Sequence, residues 1–375
     1  MLKVLLAGGG TAGHVNPALA IAEIIKEHHP DAEFLFAGTP FGIEADLIPK
    51  AGYNFAPIKI RGFQRQINLE NIVRNFQAVG YLAMSGSRAK KIIKDFSPDL
   101  VIGTGGYVSG PVVRKAAKMG IKTAIHEANA FAGVTTKLLS KDVDKIMLTV
   151  RETKNLDESV KDKTTVTGLP VRKAFATVSK SEARKQLGIP ENATVILSAG
   201  GSLGARTINN NVAKLLKWYQ ENNIDVYHIH SYGTYKDYEN YIEKLENDGV
   251  KVKDNPRLQI SSYINMPLCM SACDLIVSRC GASTLVEIEA VGRGSILIPS
   301  PMVAENHQYQ NGMVLEKAGA GIVIEEKNLD EKKFISEVEK LINNPQKMEE
   351  FSQNAKKLHI ADTHDRIYGV IKSLL

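Results

Sequence analysis

The chain has 375 residues, room for two domains of ordinary size, and its 43% hydrophobic content is that of a folded α/β protein. No apolar run reaches the roughly 18 to 20 residues needed to span a bilayer, and a strand expected two residues after Met1 leaves no room for a signal peptide, so the cytosol is the expected compartment. The net charge of +6 resides in residues 1–165, where 22 Lys+Arg face 16 Asp+Glu.

The first half predicts strands alternating with helices. A strand over Lys3 to Ala7 runs into Gly8-Gly9-Gly10-Thr11-Ala12-Gly13-His14 and a helix from about Pro17 to Glu27. A strand at Glu33 to Ala37, a helical stretch across 69–94 and a strand at Leu100 to Ile102 follow, the last entering Gly103-Thr104-Gly105-Gly106-Tyr107. Helices at about 111–119 and 133–140 then flank a strand at Lys122 to His126, with another strand at Lys145 to Leu148. Such alternation implies a parallel sheet covered on both faces, with ligands at the carboxyl ends of the strands, where the glycine turns fall.

A glycine-rich turn at a helix start lets backbone N–H groups approach a diphosphate that any Cβ would hold away. Gly8-x-Gly10-x-x-Gly13 also satisfies the dinucleotide fingerprint, which requires an acid near the end of the second strand. That strand ends Phe36-Ala37-Gly38-Thr39, without one, which argues against a nicotinamide or flavin oxidoreductase. His14 stands where a positive helix end favours a neutral imidazole suited to general-base work; the plain alternative is a histidine that caps or packs. His126-Glu127-Ala128-Asn129 places three polar side chains at a strand's carboxyl end, to touch a ligand or to cap the following helix.

Residues 59–94 carry Lys59, Arg61, Arg65, Arg74, Arg88, Lys90, Lys91 and Lys94 against Glu70 alone. This density suits anionic lipid headgroups or nucleic acid. An aromatic content of 6% and no RNA-binding signature argue against nucleic acid. Asp142-x-Asp144 lies at a strand's amino end and reads as surface charge, not as a metal site. Cys269, Cys273 and Cys280 cannot pair completely and match no zinc spacing, so reduced thiols are expected.

A joint is expected at Val166-Thr167-Gly168-Leu169-Pro170-Val171-Arg172, dividing domain 1–165 from domain 166–355. Beyond it, strands are expected at 194–199, 225–230, 258–260, 274–277, 295–298 and 321–324. The third glycine turn, Gly200-Gly201-Ser202-Leu203-Gly204-Ala205-Arg206, lacks the Gly-Lys-Ser/Thr ending of a Walker loop. Downstream, Gly281-Ala282-Ser283-Thr284 opens a helix whose Glu287 suits vicinal ribose hydroxyls, and Glu305 to Asn311 is a run of amides suited to sugar hydroxyls. An apolar stripe at Ile367, Val370, Ile371, Leu374 and Leu375 marks an amphipathic last helix.

Taken together, these motifs resemble the MurG family of UDP-N-acetylglucosamine:lipid I N-acetylglucosaminyltransferases over nearly the whole chain. The matches are Gly9 to Ala18, Gly105 to Pro111, His126-Glu127-x-Asn129, Val166 to Arg172, Gly201-Ser202-x-Gly204-Ala205-Arg206 and Gly281-Ala282-x-Thr284. The resemblance implies a GT-B fold, two Rossmann-like parallel-sheet domains facing across a cleft, with residues 356–375 crossing back to the first. It assigns the donor UDP-N-acetylglucosamine to Thr11, Ala12, Gly13, Asn129, Arg172, Ser202, Ile264, Ala282, Ser283, Thr284, Leu285, Val286, Glu287, Gln308 and Asn311. The acceptor, lipid I, would meet Gly10, Gly13, His14, Gly105, Gly106 and Tyr107, with His14 and Glu127 catalytic.

Ala12, Leu169, Leu203 and Cys280 depart from the family's common Gly, Asn, Gln and Ser, and Leu203 removes one polar donor contact. No metal or other cofactor is implied. The implied partners are the two substrates, an anionic membrane surface met through residues 59–94, and other cell-wall enzymes, which places the protein peripherally on the cytoplasmic face of the membrane. The nearest alternative is a diacylglycerol glycosyltransferase, from which residues 105–111 separate it; a nucleic-acid-binding protein is the alternative of another class.

Overall fold

The computed structural model describes residues 1–60, 69–253 and 255–375. They form two α/β units, Met1–Pro170 with Ile360–Leu375, and Val171–His359. Arg61 and Arg65 of the basic stretch, with the side chains of Arg74, Ile72, Val73, Phe76, Val79 and Leu82, lie outside the described residues.

The first unit is built on seven parallel strands: β1 (Lys3–Gly8), β2 (Glu33–Gly38), β3 (Asn54–Pro57), β4 (Leu100–Gly105), β5 (Lys122–Glu127), β6 (Lys145–Leu148) and β7 (Thr164–Val166). Their spatial order is β3-β2-β1-β4-β5-β6-β7. The period-2 alternation of a strand sorts β1 between two cores: Val4 and Leu6 pack on one face, Leu5 and Ala7 on the other. Apolar runs with no polar alternation therefore mark strands covered on both sides. The edge strands β3 and β7 escape a sequence reading because each is short and lacks such a run.

The second unit has six parallel strands: β8 (Val195–Ala199), β9 (Tyr227–Ser231), β10 (Leu258–Ser261), β11 (Leu275–Ser278), β12 (Gly294–Leu297) and β13 (Gly321–Val323). Their order is β10-β9-β8-β11-β12-β13, the doubly wound arrangement. In each unit the strand order reverses beside one pair of strands, β1 with β4 and β8 with β11. Ligand crevices open at the carboxyl ends of such pairs. The first two glycine turns follow β1 and β4, and the third follows β8.

The segment 166–170 stays with the first unit. Both Thr167 and Gly168 donate their N–H to the Leu148 carbonyl, at 2.9 and 3.1 Å, extending the pairing of β7 with β6. Gly168 takes φ +79°, and a Cβ there would run into Thr363 and Ile360. The helix Pro345–Leu358 belongs to the second unit, where Ala355 and Leu358 pack in its core. Only from Ile360 does the chain return, and the helix Thr363–Lys372 then buries Ile367, Val370 and Ile371 against the helix Ala12–His28. Tyr368 stacks on His28 with ring centroids 3.6 Å apart, which assigns the face of the C-terminal stripe.

Candidate functional site

The first two glycine turns pack on each other. A Cβ on Gly106 would overlap the Gly9 carbonyl, and one on Gly105 would stand 2.5 Å from Nδ1 of His14. Gly105 and Gly106 also take φ +110° and +79°, a region that side chains disfavour. Thr104 Oγ1 donates to the His14 carbonyl at 2.7 Å, and the Gly105 N–H donates to the buried Ser109 hydroxyl at 3.2 Å. Close approach of backbone to backbone is thus the first demand these glycines answer. Around them His14 is half-buried, while Gly10, Thr11, Ala12, Gly13 and Tyr107 are exposed.

The acid missing from the end of the second strand arrives from farther along the chain. Glu44, the first residue of the helix Glu44–Lys50, is fully buried. Its Oε2 accepts from the Gly10 N–H at 2.9 Å, and its Oε1 from the Thr39 N–H at 2.9 Å and hydroxyl at 2.7 Å. The Gly10 N–H, one of the donors a phosphate nest would present, is therefore occupied by a carboxylate of this chain. Sequence reasoning missed Glu44; the sign was an acid shortly after Gly38 and Gly42.

At the end of β5, the three polar side chains turn inward. His126 Nε2 donates to the Gly168 carbonyl at 2.9 Å, tying β5 to the segment after β7. Burial lowers its pKa, against the raising influence of that hydrogen bond and of Glu127. The Glu127 carboxylate is 4% exposed. Its Oε1 accepts from the Asn129 backbone and amide at 2.9 and 3.0 Å, and its Oε2 from Gly133 at 3.0 Å, the residue capping the helix Val134–Leu139. Of the two sequence readings for this loop, the geometry of Glu127 is that of capping.

The second unit holds a cavity of about 220 Å3 at the carboxyl ends of β8 and β11. It is lined by Gly200, Gly201, Ser278, Arg279, Gly281, Thr284, Glu287 and Gln308 and by the apolar Leu197, Ala199, Met266, Met270 and Ile276. Thus the third glycine turn, Thr284, Glu287 and Gln308, distant in sequence, share one pocket. Gln308 Oε1 accepts from the Ser300 N–H at 2.8 Å, which turns the amide NH2 away from that loop. Burial pushes the Glu287 carboxyl up to about 7, with the positive charge of Arg172 pulling it back. Arg279, which the sequence reading left without a role, lines the same cavity and is pinned by Glu326 at 2.5 Å and the Ile298 carbonyl at 3.1 Å.

Several expected donor residues are not among those that line this cavity. Arg172 is exposed, its guanidinium 5.1 Å from the Phe175 ring centroid. Ser202 is exposed, and its carbonyl accepts from Thr234. Ile264 is half-buried and packs against a core cluster of the second unit. Ala282 and Ser283 are half-buried at the helix start, whereas Leu285 and Val286 are buried, and the Leu285 N–H is taken by the Gly281 carbonyl. Asn311 is 3% exposed and donates to the Cys280 carbonyl at 3.3 Å.

Asp142 pairs with Arg114 at 3.1 Å, and Asp144 accepts from the Thr123 N–H at 2.8 Å, so both serve the ends of elements. Burial pushes the Cys269 thiol up to about 11 and those of Cys273 and Cys280 up to about 12; all three are free. Among the described residues no group of three or more His, Cys, Asp or Glu could hold a metal ion. Nor is any helix among them long and apolar enough to cross a membrane.

Comparison with known proteins agrees with this geometry. The glycosyltransferase family 28 N-terminal domain matches residues 4–148, and the C-terminal domain of the same family matches residues 195–367. The UDP-N-acetylglucosamine--N-acetylmuramyl-(pentapeptide) pyrophosphoryl-undecaprenol N-acetylglucosamine transferase of Acetivibrio thermocellus is 43% identical over 375 residues, which is 100% of this chain and 98% of that one. The protein of the same name from Thermoanaerobacter sp. is 40% identical over 100% of both chains. The crystal structure of Acinetobacter baumannii MurG superposes with a TM-score of 0.75 at 25% identity, covering 99% of this chain and 100% of that one. The chain belongs to glycosyltransferase family 28 and, within it, to the MurG family of N-acetylglucosamine transferases of the GT-B fold.

Proposed function

We infer that this protein transfers N-acetylglucosamine from UDP-N-acetylglucosamine to the C4 hydroxyl of the N-acetylmuramoyl unit of lipid I, with inversion, to form lipid II. The observation that carries the reading is the cavity that gathers Gly200, Gly201, Thr284, Glu287 and Gln308. There an ionised Glu287 accepts the two ribose hydroxyls and the Gln308 amide donates to the sugar. The N-terminal amides of the helix Ala282–Val291, with Ser202 and Arg172, meet the charge that develops on the departing diphosphate.

On the acceptor side, the bond from the muramoyl O4 to the anomeric carbon forms as the bond to the UDP oxygen breaks. His14 removes the hydroxyl proton. Its Nδ1 is buried against Gly105, which fixes the ring on the second glycine turn. Glu127 is a positioning residue that holds Asn129 and the following helix start. The test is to incubate the protein with UDP-N-acetylglucosamine, with and without a short-chain lipid I analogue. UDP release that depends on the analogue, with a disaccharide product, supports the reading; release with diacylglycerol and not with the analogue sinks it.

The basic stretch 59–94 gives a membrane role to the first unit, on the cytoplasmic face where lipid I is presented. Binding to anionic vesicles should weaken with salt and on changing Arg65, Arg74 and Arg88 to Glu. Binding that ignores both would remove the membrane role and leave the transfer reaction standing.

A further inference from the structure

We propose that Glu44 is a positioning residue for the acceptor half of this reaction, holding the first glycine turn against the second and so setting the imidazole of His14. The proposal rests on the functional reading above for its kinetic consequence and on the free protein for its geometry.

Three observations converge on Glu44. Its carboxylate is fully buried, and among the described residues no Lys or Arg forms an ion pair with it. A buried carboxylate is tolerated only when other groups replace its hydration, and here three hydrogen-bond donors do so, two of them backbone N–H groups. The space around it is made by glycines: a Cβ on Gly9, Gly38 or Gly42 would overlap the carboxylate or its Cγ. None of these three takes the left-handed backbone that itself calls for glycine; the room left for the carboxylate accounts for Gly9 and Gly42, and at Gly38 the Phe55 ring makes the same demand. A side chain enclosed in this way fixes the backbone that encloses it.

The backbone it fixes leads to His14. Glu44 Oε2 holds the Gly10 N–H, and the preceding Gly9 carbonyl is the surface on which Gly106 rests. Gly105, next to Gly106, lies against the His14 ring, and the His14 carbonyl is itself held by Thr104. The path from the carboxylate to the imidazole thus runs through direct packing at every link. The negative charge has a second consequence. It takes up one donor of a turn that would otherwise cradle phosphate, so the acceptor's diphosphate is left with the amides of Ala12 and Gly13 at the helix start, both exposed.

Glu44→Gln tests this, because it keeps the shape, removes the charge and sets an amide N–H against a backbone N–H. Per mole of folded protein, kcat should fall by about tenfold to a hundredfold and the acceptor KM should rise, as expected when a reacting group is displaced by a fraction of an ångström to an ångström. Affinity for UDP itself, read at the cavity of the second unit, should stay within about twofold. A merely structural residue would lower the folded fraction and leave these constants in their original ratio. Thr39→Val, which removes one of the three donors without a buried charge change, should move kcat and acceptor KM in the same direction by a smaller factor and keeps the test usable if Glu44→Gln does not fold.

A readout independent of activity is the His14 ring resonance in protein labelled at histidine, assigned by its loss in His14→Gln. It should shift in both variants, while those of His228 and His230 stay in place. An unmoved His14 resonance, or acceptor constants equal to those of the unaltered protein, overturns the proposal. A shift in both variants, with unaltered protein that yields no disaccharide, overturns the functional reading and leaves the Glu44 link intact.

Discussion

The imidazole of His14 and the α-carbon of Gly105 are in van der Waals contact, so close that a Cβ at Gly105 would stand 2.5 Å from Nδ1. One residue is the first on its helix able to carry a proton; the other sits at φ +110° at the end of the adjacent strand. The pair couples the two glycine turns of the first unit. His14→Ala should lower kcat by roughly 10² to 10⁴ with little change in donor KM, as expected for loss of a general base. Gly105→Ala should reproduce much of that loss with the imidazole still present. Steady-state kinetics at saturating donor check both, and a change confined to KM would assign His14 to binding.

Glu127 offers a contrast. All the hydrogen bonds its carboxylate makes to described donors lie within its own loop. Glu127→Ala leaves the Gly133 and Asn129 N–H groups without their acceptor and should reduce unfolding free energy by about 1 to 3 kcal/mol. Urea denaturation measures it. The pH profile of the residual kcat should keep its wild-type shape; loss of its acidic limb would mark Glu127 as the proton acceptor instead.

Donor binding should depend on pH through Glu287. Its carboxyl titrates near about 7 because burial penalises the charged form, and only the ionised form accepts from two ribose hydroxyls. UDP affinity should therefore be full above pH 7 and fall as pH drops below it, toward tenfold per pH unit. Glu287→Gln should bind UDP weakly and without this dependence. Arg172→Ala, by removing the nearby positive charge, should move the midpoint upward. Calorimetric titration of UDP across pH 5.5 to 8.5 would show each shift.

The second unit should also weaken in acid. Ser198 Oγ lies 2.7 Å from His228 Nε2 and 2.8 Å from His230 Nδ1, and both rings are fully buried. Burial lowers the His228 pKa to about 3 and the His230 pKa to about 4. Below the ordinary histidine value of about 6.5 the unfolded chain takes up protons that the folded unit refuses, so stability declines as pH falls from there toward 4. Thermal melts between pH 7 and 4 should show the decline, and His230→Gln should make it shallower. A melting temperature independent of pH over that range would contradict the burial of neutral rings.

Much of this protein was legible in its sequence, and the reason is local. Continuous apolar runs such as Leu5-Leu6-Ala7 and Val195-Ile196-Leu197, each ended by a glycine turn and followed by a helical pattern, fit strands covered on both faces, and those turns place a crevice at their carboxyl ends. Thr284, Glu287 and Gln308 could be singled out because helix starts and amide runs carry their chemistry in neighbouring residues. What the sequence could not determine is which groups long-range packing would occupy. Glu44 lies 34 residues from Gly10 and takes one of its turn's donors, and Glu127 spends both oxygens on its own loop. Asn311 gives its amide to the Cys280 carbonyl. Sequence names the hydrogen-bonding groups a chain possesses; burial decides which must be satisfied internally, and that choice exists only once the chain has folded back on itself.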